Sequence, residues 1–149
     1  MAIYPQRATL FHDEALVTVG SALLATNHDE NQAYAVIQRQ DTPAADGDTF
    51  TQSFMLEGGT YTFVVVGYTD TNRGKIDWYI DDVLVVTGQD WYSASGTYNV
   101  VKTHTSITVT GNGRHVLKGV INGKHASSTG YFHTLTKYWL KPATDTTSV

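Results

Sequence analysis

Apolar and polar residues alternate over short stretches along most of the chain, and turn signals separate the stretches. In "GKIDWYID", Ile76, Trp78 and Ile80 fall on one face of an extended strand, and polar residues and Tyr79 fall on the other. The stretch "GTYTFVVVGY" is apolar on both faces, which predicts a strand at the centre of a sheet. Clusters such as "DTPAADGD", "TDTNRG" and "GNG" leave runs of roughly 6–12 residues between them, the spacing of a sandwich or barrel rather than of βαβ units. The pattern predicts an all-β fold.

Two turns are predicted to close hairpins. The Asp81-Asp82 pair lies between two strand patterns, and Asp tolerates the positive φ that a two-residue hairpin turn needs. Gly111-Asn112-Gly113 is predicted to join the apolar runs on either side of it into a second hairpin. Gly119 lies inside the second of those runs, which predicts either the close approach of a neighbouring side chain or a local kink.

The segment "DENQAYAVIQRQ" admits two interpretations. Asp29 can cap a helix in which Ala33, Val36 and Ile37 share a face. The same residues also form an edge strand with Tyr34 and Val36 on one side, and we favour the strand. With 149 residues the chain suits one domain. We predict an N-terminal arm over 1–12, a β-sandwich over 13–141 and a polar tail over 142–149.

Composition excludes several classes of function. The formal net charge of −4 does not suggest a nucleic-acid partner. The absence of cysteine excludes disulfides, thiolate metal sites and a Cys nucleophile. The first residues lack the apolar region of a signal peptide, and no apolar run approaches the ~20 residues that span a bilayer. We therefore expect synthesis in the cytoplasm and no membrane partner.

The candidate catalytic and metal-binding residues favour structural roles. None of the six His residues forms an H-x-H or H-x-x-x-H pair; His28 lies in a polar turn, and His115 shares a face with apolar residues, which predicts a hydrogen-bonded, partly buried ring. Asp41, Asp46 and Asp48 resemble a calcium loop in spacing, but a turn with Gly47 in a left-handed conformation explains them too. No nucleophile elbow, glycosidase carboxylate pair or phosphate-binding loop is present. We predict neither an enzyme nor a metal or cofactor site.

One stretch, "GQDWYSAS", is a candidate for carbohydrate binding. Trp91 and Tyr92 lie between strands, with Gln89 and Asp90 before them. Aromatic rings stack on sugar rings while neighbouring polar groups recognise hydroxyls. The alternative is that Trp91 covers one end of the sandwich.

Three further stretches carry a family resemblance: "GTYT" at 59–62, "RGKIDWYID" at 73–81 and "NGKHASSTGY" at 122–131. Together, over roughly 41–140, they resemble a jelly-roll β-sandwich module that recurs in tailed-bacteriophage virion proteins. The sequence departs from that family's pattern at Asp82, His125 and Thr129. The resemblance implies an antiparallel jelly-roll sandwich.

The resemblance also implies a function. It is that of a capsid decoration (cement) protein on the virion surface, a homotrimer that binds the major capsid protein and stabilises the shell. On this hypothesis the apolar anchors of the arm are Ile3, Tyr4, Leu10 and Phe11. Asn122, Gly123, Ser127, Ser128 and Tyr131 would form a structural corner, because Asn-Gly favours a turn and hydroxyls satisfy backbone groups. The alternative is a carbohydrate-binding module or a receptor-binding fibre tip that recognises host glycans.

Overall fold

A computed structural model describes residues 3–11, 17–19, 24–27, 36–39 and 45–146 of the chain. Within these ranges there are strands and no helix, so no helix there is long and apolar enough to cross a membrane. The strands are β1 Ala8–Phe11, β2 Val17–Val19, β3 Leu24–Asn27, β4 Val36–Arg39, β5 Thr49–Leu56, β6 Gly59–Thr69, β7 Gly74–Ile80, β8 Val83–Asp90, β9 Thr97–Val109, β10 Gly113–Lys124 and β11 Thr134–Pro142.

The strands form two antiparallel sheets that bury a shared apolar core. One, the β6 sheet, has the order β3-β4-β11-β6-β9, and β1 also pairs with β11. The other, the β10 sheet, has the order β2-β5-β10-β7-β8. This arrangement confirms the predicted all-β, antiparallel sandwich of the jelly-roll type.

Aromatic side chains fill the space between the sheets. Trp78 on β7 is fully buried, and its ring meets those of Phe50, Phe63 and Tyr138 edge to face at centroid distances of 5.5, 5.1 and 5.2 Å. These residues come from strands of both sheets. The apolar positions of the alternating pattern in β7 are therefore the ones that face the core.

The central position predicted for β6 is confirmed. It lies between β11 and β9, with Phe63 and Val65 in the core between the sheets. Val64 and Val66 point to the opposite face of the sheet, where they form a second buried cluster with Trp139. A strand that is apolar on both faces needs cover on both, and β6 has it.

Of the two predicted hairpins, one is confirmed and the other is wrong. Asp81 and Asp82 have φ of 49° and 63° and join β7 directly to its partner β8. The Gly111-Asn112-Gly113 turn instead carries the chain from one sheet to the other, since β9 pairs with β6 whereas β10 pairs with β5 and β7. The apolar faces of β9 and β10 meet the core from opposite sides, so alternation alone made them resemble paired neighbours.

Two local predictions are confirmed. Val36–Arg39 is a strand, β4, paired with β3 and β11; Asp29, Ala33 and Tyr34 lie outside the described residues. Gly119 faces Phe50 at close range, because a Cβ added to Gly119 would lie 2.5 Å from Phe50 Cε1 and nearer still to Cζ. The ring fills the space that a side chain at position 119 would need.

The predicted arm belongs partly to the sheet. Ala8–Phe11 pairs with β11, and Leu10 is buried in the chain's own core, so Leu10 does not serve as an exposed anchor. Ile3, by contrast, is 93% exposed. Arg7 forms an ion pair with Asp145, which ties the segment before β1 to the segment after β11.

Candidate functional site

Three loops converge at one end of the sandwich, which we call the three-loop end. They are residues 70–73 between β6 and β7, 91–96 between β8 and β9, and 125–133 between β10 and β11. The first loop is hydrogen-bonded to both of the others through the backbone pairs Ser93 N to Asp70 O, 3.1 Å, Thr129 N to Thr71 O, 2.9 Å, and Phe132 N to Asn72 O, 3.1 Å. The loop at 70–73 is thereby held between the other two.

Side chains of the predicted corner strengthen this junction. Ser128 is buried, and its Oγ donates a hydrogen bond to the carbonyl oxygen of Arg73 at 2.8 Å. Thr129 Oγ1 lies 3.4 Å from the carbonyl oxygen of Thr71. Both hydroxyls satisfy backbone acceptors of the loop at 70–73, which is the role predicted from the sequence.

The start of the corner is fixed to two carboxylates. Asn122 Nδ2 donates to Asp77 Oδ2 at 2.6 Å, and the backbone N of Gly123 donates to Asp46 Oδ1 at 2.6 Å. Gly123 has a φ of 76°, where the absence of Cβ avoids strain. Asp46 thus supports a turn, and Gly47, with φ of 89°, has the predicted left-handed conformation.

The structure corrects the predicted glycan-binding set at two residues. Trp91 has no exposed surface and belongs to the core, and Gln89 is also buried. Gln89 Oε1 accepts hydrogen bonds from the indole N–H groups of Trp78, at 3.0 Å, and Trp91, at 2.9 Å. A buried indole needs such an acceptor, so the alternative, Trp91 covering one end of the sandwich, describes its position.

Tyr92 and Asp90, the other two members of that set, lie nearer the surface and are half-buried. Asp90 Oδ1 accepts a hydrogen bond from the backbone N of Tyr92 at 2.9 Å. The Tyr92 ring stacks on the ring of His125, with 4.3 Å between centroids and 4° between planes. Ser127 N donates to His125 Nδ1 at 3.1 Å, which requires an Nδ1 without hydrogen. The stack joins the second and third loops.

A second pair of stacked rings was not predicted. Tyr68, the penultimate residue of β6, and Tyr98 on β9 lie 4.6 Å apart with 31° between their planes, and Tyr98 is 39% exposed. Tyr68 Oη donates to Asp70 Oδ2 at 3.1 Å. A Cβ at position 96 would overlap Tyr68 Oη, so Gly96 lets the loop pass over this ring.

Three cationic side chains lie over aromatic rings at this end of the fold. The Arg73 guanidinium lies 5.0 Å from the Tyr68 ring, Lys124 Nζ lies 4.8 Å from Tyr131, and Lys102 Nζ lies 5.2 Å from Trp91. Arg73 is only 3% exposed. Burial lowers the pKa of Arg73, while Asp70, Tyr68 and Tyr98 oppose that shift. Burial likewise lowers the pKa of Lys102, and Asp90 opposes it.

Two further described histidines, His104 and His115, serve structural roles. Because Gln89 Oε1 faces two indole donors, Gln89 Nε2 must donate to His104 Nε2, 2.7 Å away. Burial and then Lys102 lower the pKa of His104, which favours the neutral ring that this bond needs. His115 is buried between Asp81 Oδ2, 2.6 Å from Nδ1, and the carbonyl oxygen of Leu56, 3.2 Å from Nε2. The hydrogen-bonded His115 was predicted; His12, His28 and Asp41 lie outside the described residues.

No group of three or more His, Asp or Glu side chains in the described residues could hold a metal ion.

The chain matches no protein-family model and no curated protein. Its fold is nevertheless shared with solved structures. A Paenibacillus xanthan lyase superposes with a TM-score of 0.72 and 20% identity over 90% of this chain, which spans 13% of the lyase.

Two smaller structures match over nearly their whole length. The CBM36-1 domain of a multidomain xylanase from the hindgut metagenome of Trinervitermes trinervoides has a TM-score of 0.62 and 14% identity, over 96% of this chain and 99% of that domain. A family 6 carbohydrate-binding module from Clostridium cellulolyticum, in complex with xylose, has a TM-score of 0.57 and 14% identity, over 88% of this chain and 94% of the module. At these identities the similarity shows the fold.

Proposed function

We propose that the chain binds carbohydrate without acting on it chemically, and that the three-loop end is its binding surface. The observation that carries this proposal is the parallel stack of Tyr92 on His125. Both rings are half-buried and lie among polar loop residues, so one flat apolar surface borders many hydrogen-bonding groups. That combination suits a sugar, whose ring faces are apolar and whose edges carry hydroxyls.

Two further features support this surface as a binding site. The loops are joined by backbone hydrogen bonds, so the rings are held in place before a ligand arrives. The fold, moreover, matches carbohydrate-binding modules over nearly their entire length and matches the larger enzymes over a small fraction of theirs. Because nearly the whole chain corresponds to such a module, we infer that it binds sugar and does not cleave it.

Tyr92→Ala is expected to weaken binding about tenfold to whichever glycan the chain binds in a panel that includes xylo-, manno-, cello- and galacto-oligosaccharides. The loss of a stacking ring at the centre of a contact costs more than ~1 kcal/mol, which corresponds to about that factor. Isothermal titration calorimetry measures the affinity, and thermal unfolding checks that the variant folds.

Tyr79→Ala is the matched control, because Tyr79 is also a half-buried tyrosine but lies on β7, away from the three loops. Its affinity is expected to equal that of the parent chain. Equal affinities for the Tyr92 variant and the parent would place the sugar elsewhere on the molecule.

We also propose a second function: the chain is a capsid decoration protein on the virion surface and binds the major capsid protein. The observation that favours it is Ile3, an apolar side chain almost wholly exposed beside the half-buried Tyr4. Contact with another protein would remove this apolar surface from water. Phe11 lies on β1 and pairs with Lys137.

This second proposal predicts a homotrimer by light scattering and binding to phage shells that Ile3→Ser weakens severalfold. Deletion of 1–12 is unsuited to the test because it removes β1 and Leu10 from the fold. A monomer that leaves shells unbound would contradict it.

A further inference from the structure

The three ring-stacked cations of this end form no direct ion pair with the residues that the structure describes. Arg73, Lys102 and Lys124 each lie over a ring, and none forms an ion pair with a described residue. The contrast is Lys118, which lies 5.0 Å from the Tyr79 ring and also pairs with Asp82 at 2.5 Å. All three of these cations lie in or beside the three loops.

The carboxylates closest to these cations are already engaged. Asp70 accepts hydrogen bonds from Tyr68 Oη and from the backbone N of Thr71. Asp90 accepts one from the backbone N of Tyr92. Each carboxylate therefore organises a loop, and neither lies within ion-pair distance of the cations. Asp70 and Asp90 act on the charges of Arg73 and Lys102 without forming a direct ion pair with either cation.

Arg73 is the most buried of the three cations. Its side chain is 3% exposed, Nη1 donates to Asn72 Oδ1 at 2.7 Å, and Nε has no hydrogen-bond partner among the described residues. A buried guanidinium without a direct ion pair carries a desolvation cost that a bound carboxylate or sulfate would offset further. Because the Tyr68 ring occupies one face of the guanidinium, its N–H groups lie at the edge, where the planar fork pairs with an anion.

We propose that the glycan bound at the three-loop end is anionic, and that Arg73 and Lys124 contact its negative groups while the stacked rings contact its sugar faces. This inference rests on the proposed function and names its ligand class, a sugar that carries a uronate carboxylate or a sulfate ester. Lys102, over Trp91, extends the same positive surface along β9. Lys124 directly precedes His125, and Arg73 lies in the loop that is hydrogen-bonded to the loops of Tyr92 and His125, so one saccharide chain can contact both kinds of group.

The test compares polygalacturonate, dextran sulfate, and neutral xylan and dextran by isothermal titration calorimetry. We expect an anionic polymer to bind more tightly than both neutral ones, and its affinity to fall as NaCl rises from about 20 to about 200 mM, because salt screens charge but not stacking. Lys124→Met keeps an apolar stem on Tyr131 and removes the charge. It is expected to weaken anionic binding about fivefold, the value of one partly exposed ion pair.

Lys118→Met is the matched control, since it removes another ring-stacked lysine on the outer face of the β10 sheet. It is expected to leave affinity unchanged. Arg73→Lys keeps a cation and removes the planar fork, so it should weaken anionic binding at least as much as Lys124→Met. Thermal unfolding shows whether each variant folds, and Lys124→Met, which alters a strand-end side chain, carries the test if Arg73→Lys unfolds.

The outcomes separate this inference from the proposed function. Tighter binding of polygalacturonate assigns the ligand as a uronate, and tighter binding of dextran sulfate alone assigns a sulfate ester. Binding of the neutral polymers with equal or greater affinity overturns the inference and leaves carbohydrate binding in place. Equal affinities for the Lys124 and Lys118 variants also overturn it. No binding to these polymers or to any member of the oligosaccharide panel overturns both.

Discussion

Trp91→Ala is expected to lower the free energy of unfolding by about 3–5 kcal/mol, the cost of removing a large aromatic side chain from a core. The indole has no exposed surface, its Nε1 donates to Gln89 Oε1, and it packs against the backbone at Gly67, where a Cβ would lie 2.8 Å from Trp91 Cζ3. Truncation leaves a cavity and removes one of the two indole donors that hold the Gln89 oxygen. Urea unfolding followed by fluorescence measures the change.

Trp91→Phe is the control that separates volume from hydrogen bonding. It retains most of the ring and loses the N–H, so we expect a loss of about 1–2 kcal/mol. A Trp91→Ala chain as stable as the parent and unable to bind glycan would reverse the assignment. It would mean that the indole, and not the adjacent Tyr92, forms the sugar-binding surface.

Gly119→Ala is expected to cost about 3 kcal/mol, the upper range for overpacking a well-packed core. The added methyl would overlap the Phe50 ring. That ring is 1% exposed and lies between Trp78 and His133, at centroid distances of 5.5 and 4.9 Å, so it has little room to move. The thermal unfolding midpoint reports the change.

Gly59→Ala is the matched control, because Gly59 is also a strand glycine but the nearest atom to its added Cβ is Tyr61 Cε2 at 3.4 Å, at the edge of ordinary contact. Its stability is expected to stay within about 0.5 kcal/mol of the parent. Equal losses at the two positions would show that the cost comes from replacing glycine in a strand, and that Phe50 moves aside.

Sequence alternation predicted the strands that bury one face, and it did so for a physical reason. A period of two places Ile76, Trp78 and Ile80 on one side of β7, and burial follows from that side being apolar. The close approach at Gly119 was predictable from the same alternation, because a glycine between inward-facing apolar residues marks a place where a side chain does not fit.

Strand pairing was less predictable, because alternation indicates which face of a strand is buried but not which strand it pairs with. Ile107 on β9 and Leu117 on β10 both face the core, and a short turn separates their strands, so a hairpin and a crossover between sheets have the same local pattern. The pairing of β9 with β6 depends on contacts between residues far apart in sequence. No local signal encodes it.

The candidate site was half predicted for a related reason. The stretch with Trp91 and Tyr92 was identified, but which ring is buried depends on Gln89, which holds the indole inward, and on His125, which receives the Tyr92 ring. His125 lies in the stretch predicted to be a structural corner. That corner does brace the fold, and one of its residues also forms the stacked pair.

The ion pair between Arg7 and Asp145 has a practical consequence for how the molecule is presented. Leu140 pairs with Ala8, and Pro142 pairs with Tyr61 near the start of β6, whereas the three loops follow its far end. β6 has 11 residues at ~3.3 Å each, so about 35 Å separates the two ends. A fluorophore, bead or fused enzyme attached before Ile3 or after Thr146 would therefore sit behind the molecule, with the stacked rings directed outward. A label beside Ile3 or Thr146 should leave the proposed glycan-binding surface unobstructed, whereas a label at an engineered cysteine in residues 91–96 would block it.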